Sequence, residues 1–148
     1  MSQSIRAPLD SDPRISEFID AVQQGLGGDT QKTLPSKYLY DAIGSSLFEV
    51  ISLLPEYGVT RADDRLIERH SPELANQMGS KIVITELGSG SGAKTRHIIS
   101  ELRRKGPLVY MPIDGSAAAL DQCERTFENV PGLDVQSIQS SYFEGLRM

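Results

Sequence analysis

One cysteine in 148 residues, Cys123, leaves no partner for an internal disulfide. With Leu120 and Phe127 it recurs at helical spacing on an apolar face, which predicts a core thiol rather than a reactive one. The two histidines, His70 and His97, show neither metal-ligand spacing nor a partner acid, so both are expected on helix surfaces and no metal is expected. No dense basic run exists and the net charge is −5, which argues against a nucleic-acid partner. Arg103-Arg104-Lys105 reads instead as the cationic last turn of a helix. No apolar run approaches membrane-spanning length, and the amino terminus lacks the regions of a signal peptide, so a cytoplasmic protein without a membrane partner is expected. With 39% hydrophobic residues the chain is long enough for one core.

What is there divides at about Lys81. Before it the pattern is helical. Asp12 is placed to cap a first helix, Pro13 suits its first position, Ile15, Phe18, Ile19 and Val22 form its apolar face, and Gly27-Gly28 stops it. Ser36 to Leu54 carries a second helical pattern with Gly44 as the expected break. Thr60 is the expected cap of the next helix, and Ser71-Pro72 its expected restart. After Lys81, strands and helices alternate: Ile82 to Leu87, a helix to Lys105, Leu108 to Ile113, a helix from Ser116 to Asn129, and Leu133 to Ile138. This is βαβαβ, the pattern of a parallel sheet in an α/β fold. The division predicts residues 1–80 as a helical segment and 81–148 as a sheet-based unit.

The chain turns on Ile82 to Thr95, IVITELGSGSGAKT. A short continuous apolar run predicts a buried parallel strand, and the glycine-rich turn then lies at the carboxyl edge of the sheet, where open α/β folds bind ligands. Gly88, Gly90 and Gly92 permit positive φ and close approach of a ligand, and the helix beyond them aims free N–H groups at it. Gly88, Gly90 and Ala93 satisfy a permissive dinucleotide pattern, and Gly88 to Thr95 misses the nucleotide-triphosphate loop only by Ala93. A nicotinamide oxidoreductase and a P-loop NTPase therefore stay open on the loop alone. Glu86, an acid two residues before the first glycine, points away from the dinucleotide class. Asp114, at the end of the second strand, stands where an acid accepts hydrogen bonds from ribose hydroxyls; capping of the next helix is its plainer role. Tyr142, past the third strand, could lie flat against an adenine, or be core.

The motif E-x-G-x-G-x-G resembles the first motif of class I S-adenosylmethionine (SAM) methyltransferases. The stretch Thr33 to Asp64, TLPSKYLYDAIGSSLFEVISLLPEYGVTRADD, is similar to the signature of the histidine-specific SAM methyltransferase family. The likeness continues through ELGSGSGAKTR and PIDGSAAAL to SSYFEGL. It implies a fold made of the N-terminal helical segment followed by the first βαβαβ half of a Rossmann-like class I sheet, truncated, since the family chain continues for about as long again. It implies SAM as cofactor, with Gly88, Lys94 and Asp114 matching family contacts, and Glu86 and Gly90 shaping the loop around the aminocarboxyl tail. Tyr57 resembles the tyrosine that contacts a substrate histidine, and Tyr40 a second aromatic of that pocket. Ser141 and Tyr142 fall where the family has an acid and an aromatic at the adenine, so Ser141 replaces a carboxylate. The implied activity is methylation of the α-amino group of L-histidine to its trimethylated form, hercynine, in ergothioneine biosynthesis, by a protein that is monomeric at full length. The alternatives are a family member acting on a tryptophan derivative and a non-catalytic SAM-binding fragment.

Methyl transfer from a sulfonium to an amine needs an unprotonated amine in line with the S–CH₃ bond, so positioning and desolvation matter more than a nucleophilic group. No catalytic residue is expected within this stretch. Tyrosine faces suit a cationic sulfonium and a growing quaternary ammonium, which is what Tyr40 and Tyr57 would offer.

Overall fold

Pro13 does open a helix: α1 runs Pro13–Leu26 in a computed structural model that describes residues 13–29 and 31–148. Asp12, the expected cap, lies outside the described residues. The chain forms two compact units, Met1–Leu39 and Tyr40–Met148. In the first, the Phe18 and Tyr38 rings meet edge to face at 4.9 Å. The Thr33 N–H donates to the Gly25 carbonyl at 3.0 Å, and a single 3-10 turn, Ser36–Leu39, follows.

The second unit holds the sheet. Helix α2 spans Ala42–Leu53 and is capped by Asp41, whose carboxylate accepts from the Gly44 N–H at 2.7 Å. Gly44 is therefore not the expected break; the cap fixes it inside the first turn, and the interruption falls at Tyr40-Asp41. Helix α3, Gly58–Gln77, has Tyr57 rather than Thr60 at its cap position and passes through Pro72 without restarting. Arg61 secures its entry by donating to the Leu54 carbonyl at 2.7 Å and to the Pro55 carbonyl at 2.5 Å. At Pro72 the chain loses one N–H, and the buried Ser71 hydroxyl turns back to donate to the Ile67 carbonyl at 2.6 Å.

From there the α/β alternation holds. The elements are β1 (Val83–Leu87), α4 (Thr95–Arg103), β2 (Leu108–Asp114), α5 (Ala117–Phe127), β3 (Leu133–Val135), β4 (Ile138–Gln139) and α6 (Tyr142–Gly145). The sheet is parallel: β2 is central, β1 lies on one side from Val83↔Val109 to Leu87↔Ile113, and β3 and β4 lie on the other. The expected third strand is thus two pieces along the same edge of β2. Its end folds into the short α6, which Ser141 caps by accepting from the Glu144 N–H at 3.4 Å.

The core forms on one face of the sheet. Tyr110 and Leu108 of β2 pack with Ile99 and Leu102 of α4, Cys123 and Phe127 of α5, and Ala75 of α3. Lys105 reinforces this side by donating to the carbonyls of Ala75 and Met78 at the end of α3, a use beyond that of a last-turn cation. Strand β1 departs from its reading as a fully buried strand: Ile84 and Glu86 are half-buried, but Val83 is 59% and Leu87 45% exposed. The reason is topological, because among the described residues β1 pairs only with β2 and its odd-numbered residues have no covering layer. No described helix is long and apolar enough to cross a membrane.

Cys123 and Tyr110 make stability depend on alkaline pH. Burial pushes the Cys123 thiol from 9.0 up to about 11, opposed in part by its hydrogen bond to Tyr110. Burial, then the Glu86 carboxylate, raises the Tyr110 phenol well above its ordinary range. Both folded values are raised, so both contributions are intact below the ordinary values and are lost as pH rises past them, when the unfolded chain ionises first. The urea midpoint should therefore fall between pH 9.0 and about 11. Cys123→Ala should flatten part of that fall, whatever its effect on the midpoint at pH 8; an equally steep fall in the variant would remove Cys123 as a cause.

Candidate cofactor site

The site grows from Glu86. As a strand residue two places before the turn, it points to the core face, where the Thr95 hydroxyl donates to its Oε1 at 2.7 Å and the Tyr110 hydroxyl donates to its Oε2. One carboxylate thus joins β1, the first residue of α4 and the central strand, so both ends of the glycine loop are held by one group. Behind it the Cys123 thiol donates to the Tyr110 hydroxyl at 3.8 Å, and the Phe127 ring meets Tyr110 edge to face at 5.2 Å. Tyr110, Cys123 and Thr95 are all buried. Sequence reading assigned Glu86 to the loop but missed Thr95 and Tyr110. Their signal was present only as hydroxyls nine and 24 positions away.

Asp114 closes the loop from the other strand. Its Oδ2 accepts from the Gly90 N–H at 3.0 Å and its Oδ1 from the Ser116 N–H at 2.9 Å. The carboxylate steadies the start of α5, the plainer of its expected roles, and also pins the loop, and each oxygen keeps a second lone pair. Ser116 then caps α5, accepting from the Ala119 N–H at 3.3 Å, and meets the Ser45 hydroxyl of α2 at 3.4 Å. Helix α2 and the carboxyl edge of the sheet are joined there.

Tyr142 is half exposed, and its hydroxyl oxygen lies 2.5 Å from where a Cβ on Gly88 would stand. Gly88 has φ +71°, and no other residue would leave room for that approach. Ser141, in contrast, is committed locally: besides capping α6 it donates to Glu144 Oε2 at 2.8 Å. Lys94 precedes α4 and its ammonium reaches Asp63 Oδ2 of α3 at 3.2 Å. One turn on, His97 Nε2 lies 3.0 Å from Asp64 Oδ1, and His70 faces Glu73 at 3.5 Å. Both histidines therefore have the partner acid that sequence reading did not find; for His97 it is 33 residues away.

The two tyrosines are less closely tied to this cluster. Tyr57 is half-buried where α3 begins, with the Phe48 ring edge to face at 6.0 Å. Tyr40 is 54% exposed beside the Asp41 cap. No recorded hydrogen bond among the described residues joins either of them to Gly88, Gly90 or Asp114.

The loop has room for a ligand and a polar group to spare. Among the described residues a Cβ on Gly90 would meet nothing within 4 Å, so space stands over the loop, and the buried Ser89 hydroxyl beside it has no partner. A parallel sheet whose first strand runs into such a loop, with an acid at the end of the second strand, defines a Rossmann-like, nucleoside-binding class of fold. The family model for the histidine-specific, SAM-dependent methyltransferases matches residues 18–148, and the chain belongs to that family. It is similar to the histidine N-alpha-methyltransferase of Mycobacterium tuberculosis, 34% identical over 79% of this chain and 37% of that protein. The Mycolicibacterium smegmatis protein of the same name is 31% identical over 99% of this chain and 46% of its own length. Ergothioneine biosynthesis protein 1 of Neurospora crassa is 34% identical over 70% of this chain and 12% of its own length. The chain thus spans less than half the length of these relatives.

Proposed function

We propose that this chain carries the SAM-binding half, and part of the substrate pocket, of an enzyme that methylates the α-amino group of L-histidine to the trimethylated product. The observation that carries it is the loop Gly88 to Gly92, fixed between Glu86 and Asp114, within a chain of this family. When bound, SAM supplies an electrophilic methyl on a sulfonium. The residues of this chain orient and shield. Asp114 offers lone pairs to ribose hydroxyls, Gly88 and Gly90 leave room for the tail, Lys94 faces its carboxylate, and Tyr142 with Ser141 borders the adenine. Tyr57 and Tyr40 present aromatic faces to the amino acid, and an α-amino group, titrating near 8 in model peptides, supplies a neutral fraction without a strong base. The protein acts in this reading as a cytoplasmic enzyme on a small molecule, with no nucleic-acid or membrane partner, and is monomeric at full length.

Calorimetric titration of the 148-residue protein with S-adenosylhomocysteine, NAD and ATP tests this. Only the first should bind; binding of NAD or ATP in its place would move the loop to another cofactor class. Asp114→Ala should weaken S-adenosylhomocysteine by about 1 to 3 kcal/mol, because it strands the Gly90 and Ser116 N–H groups as well as the ribose hydroxyls. Unchanged affinity would take Asp114 out of the site.

A further inference from the structure

Two consecutive acids of α3 meet two residues one turn apart at the start of α4: Asp63 reaches Lys94 at 3.2 Å and Asp64 reaches His97 at 3.0 Å. The double contact fixes the facing of the two helices, so Asp63 stands opposite Lys94 by construction rather than by chance of one flexible side chain. Lys94 directly follows the glycine loop, and its side chain caps nothing in its own helix. A free lysine there would lose much of its rotamer freedom on gripping a ligand. Held by Asp63, it has already lost that freedom and still has two of its three N–H donors to offer. Lys94 and Asp63 are each about half exposed, at 45% and 46%, so a ligand can reach the pair.

We infer that Asp63 is a positioning residue for the cofactor: it holds the Lys94 ammonium beside the glycine loop, pre-ordered for the carboxylate of the aminocarboxyl tail. This rests on the cofactor reading above. It makes Asp63 specific to one portion of the ligand, which a residue with a merely structural role would not be. The pair also links α3, which has Tyr57 at its cap position, to the cofactor loop, so substrate side and cofactor side share one electrostatic contact.

The test is titration of wild type, Asp63→Asn, Asp63→Glu and Lys94→Met with S-adenosylhomocysteine and with 5′-methylthioadenosine, which keeps adenine and ribose but lacks the tail. Asp63→Asn should weaken S-adenosylhomocysteine about 3- to 5-fold, the scale of a half-exposed ion pair, and leave 5′-methylthioadenosine unchanged. Asp63→Glu should recover most of the loss, and Asp63→Asn added to Lys94→Met should cost nothing more. Equal losses for both ligands would make Asp63 a structural residue, and tighter S-adenosylhomocysteine binding would make it a competitor for Lys94; either overturns the inference, as does no change. A wild type that binds neither compound would sink the cofactor reading itself, and the inference with it.

Discussion

Gly92→Ala should cost about 3 kcal/mol of stability, enough to shift the urea midpoint far more than any exposed substitution in the loop. Gly92 is buried with φ +71°, where an L side chain is strained by about 1 to 2 kcal/mol. Its added Cβ would stand 2.7 Å from Phe127 Cε2 and 2.8 Å from Cys123 Sγ. Neither neighbour can retreat cheaply: Phe127 lies against Tyr110, and Cys123 is fully enclosed. Overpacking of that kind adds about 1 to 3 kcal/mol. Gly90→Ala is the control, since at φ +54° it meets nothing within 4 Å and should show the backbone strain alone. Because its Cβ enters the open space over the loop, it should lose S-adenosylhomocysteine binding while staying folded. Equal midpoints for the two variants would mean that the Phe127 and Cys123 contacts yield without cost.

The 148-residue protein incubated with SAM and L-histidine should give no methylated histidine above the no-enzyme control by mass spectrometry. Binding half of a cofactor cradle does not bring an amine into line with the S–CH₃ bond. Tyr57 packs on Phe48 and Tyr40 is 54% exposed, and two aromatic faces cannot fix the direction of a small zwitterion. Losing well-oriented positioning forfeits about 7 kcal/mol or more of barrier lowering, which puts turnover below detection. The sheet adds a second obstacle. Val83 and Leu87 on β1, and Ile43, Leu47, Val50 and Leu53 on α2, are exposed apolar residues, and an open strand edge beside such surface favours self-association over a closed pocket. Light scattering on the same sample should accordingly report species larger than 16.2 kDa. Trimethylhistidine above the control would show that these residues suffice to orient the substrate.

Much of this protein was legible in its sequence because the signals were local. Alternating apolar strands and amphipathic helices after Lys81 specify a parallel α/β sheet, and glycine at every second position after a strand specifies a positive-φ loop. The acid that ends β2 is legible for the same reason: its position follows from counting one strand, turn, helix and strand. The faces of α5 followed from spacing alone, and Leu120, Cys123 and Phe127 are all buried. Where local rules compete, tertiary structure chose. Local pattern put the cap of α3 at Thr60, and the helix starts three residues earlier, with Tyr57 at its cap position and Arg61 binding the Leu54 and Pro55 carbonyls. Pro72 would end a solitary helix, but packing of Ser71 and Ala75 into the core kept α3 running.

The sequence by itself determined the class of fold, the loop and its two flanking acids, since each depends on residues within a few positions or on a fixed count of elements. Only the tertiary structure decided what those acids hold. Glu86 meets Tyr110 and Asp114 meets Gly90, each 24 residues away, and Lys94 meets Asp63 across 31. Contacts at such separations depend on how elements dock, and a one-dimensional pattern carries period and propensity but not the angle at which one helix lies on another. The exposure of β1 has the same origin: its apolar run reads as buried, and its true environment is set by whether a layer packs on each face of the sheet.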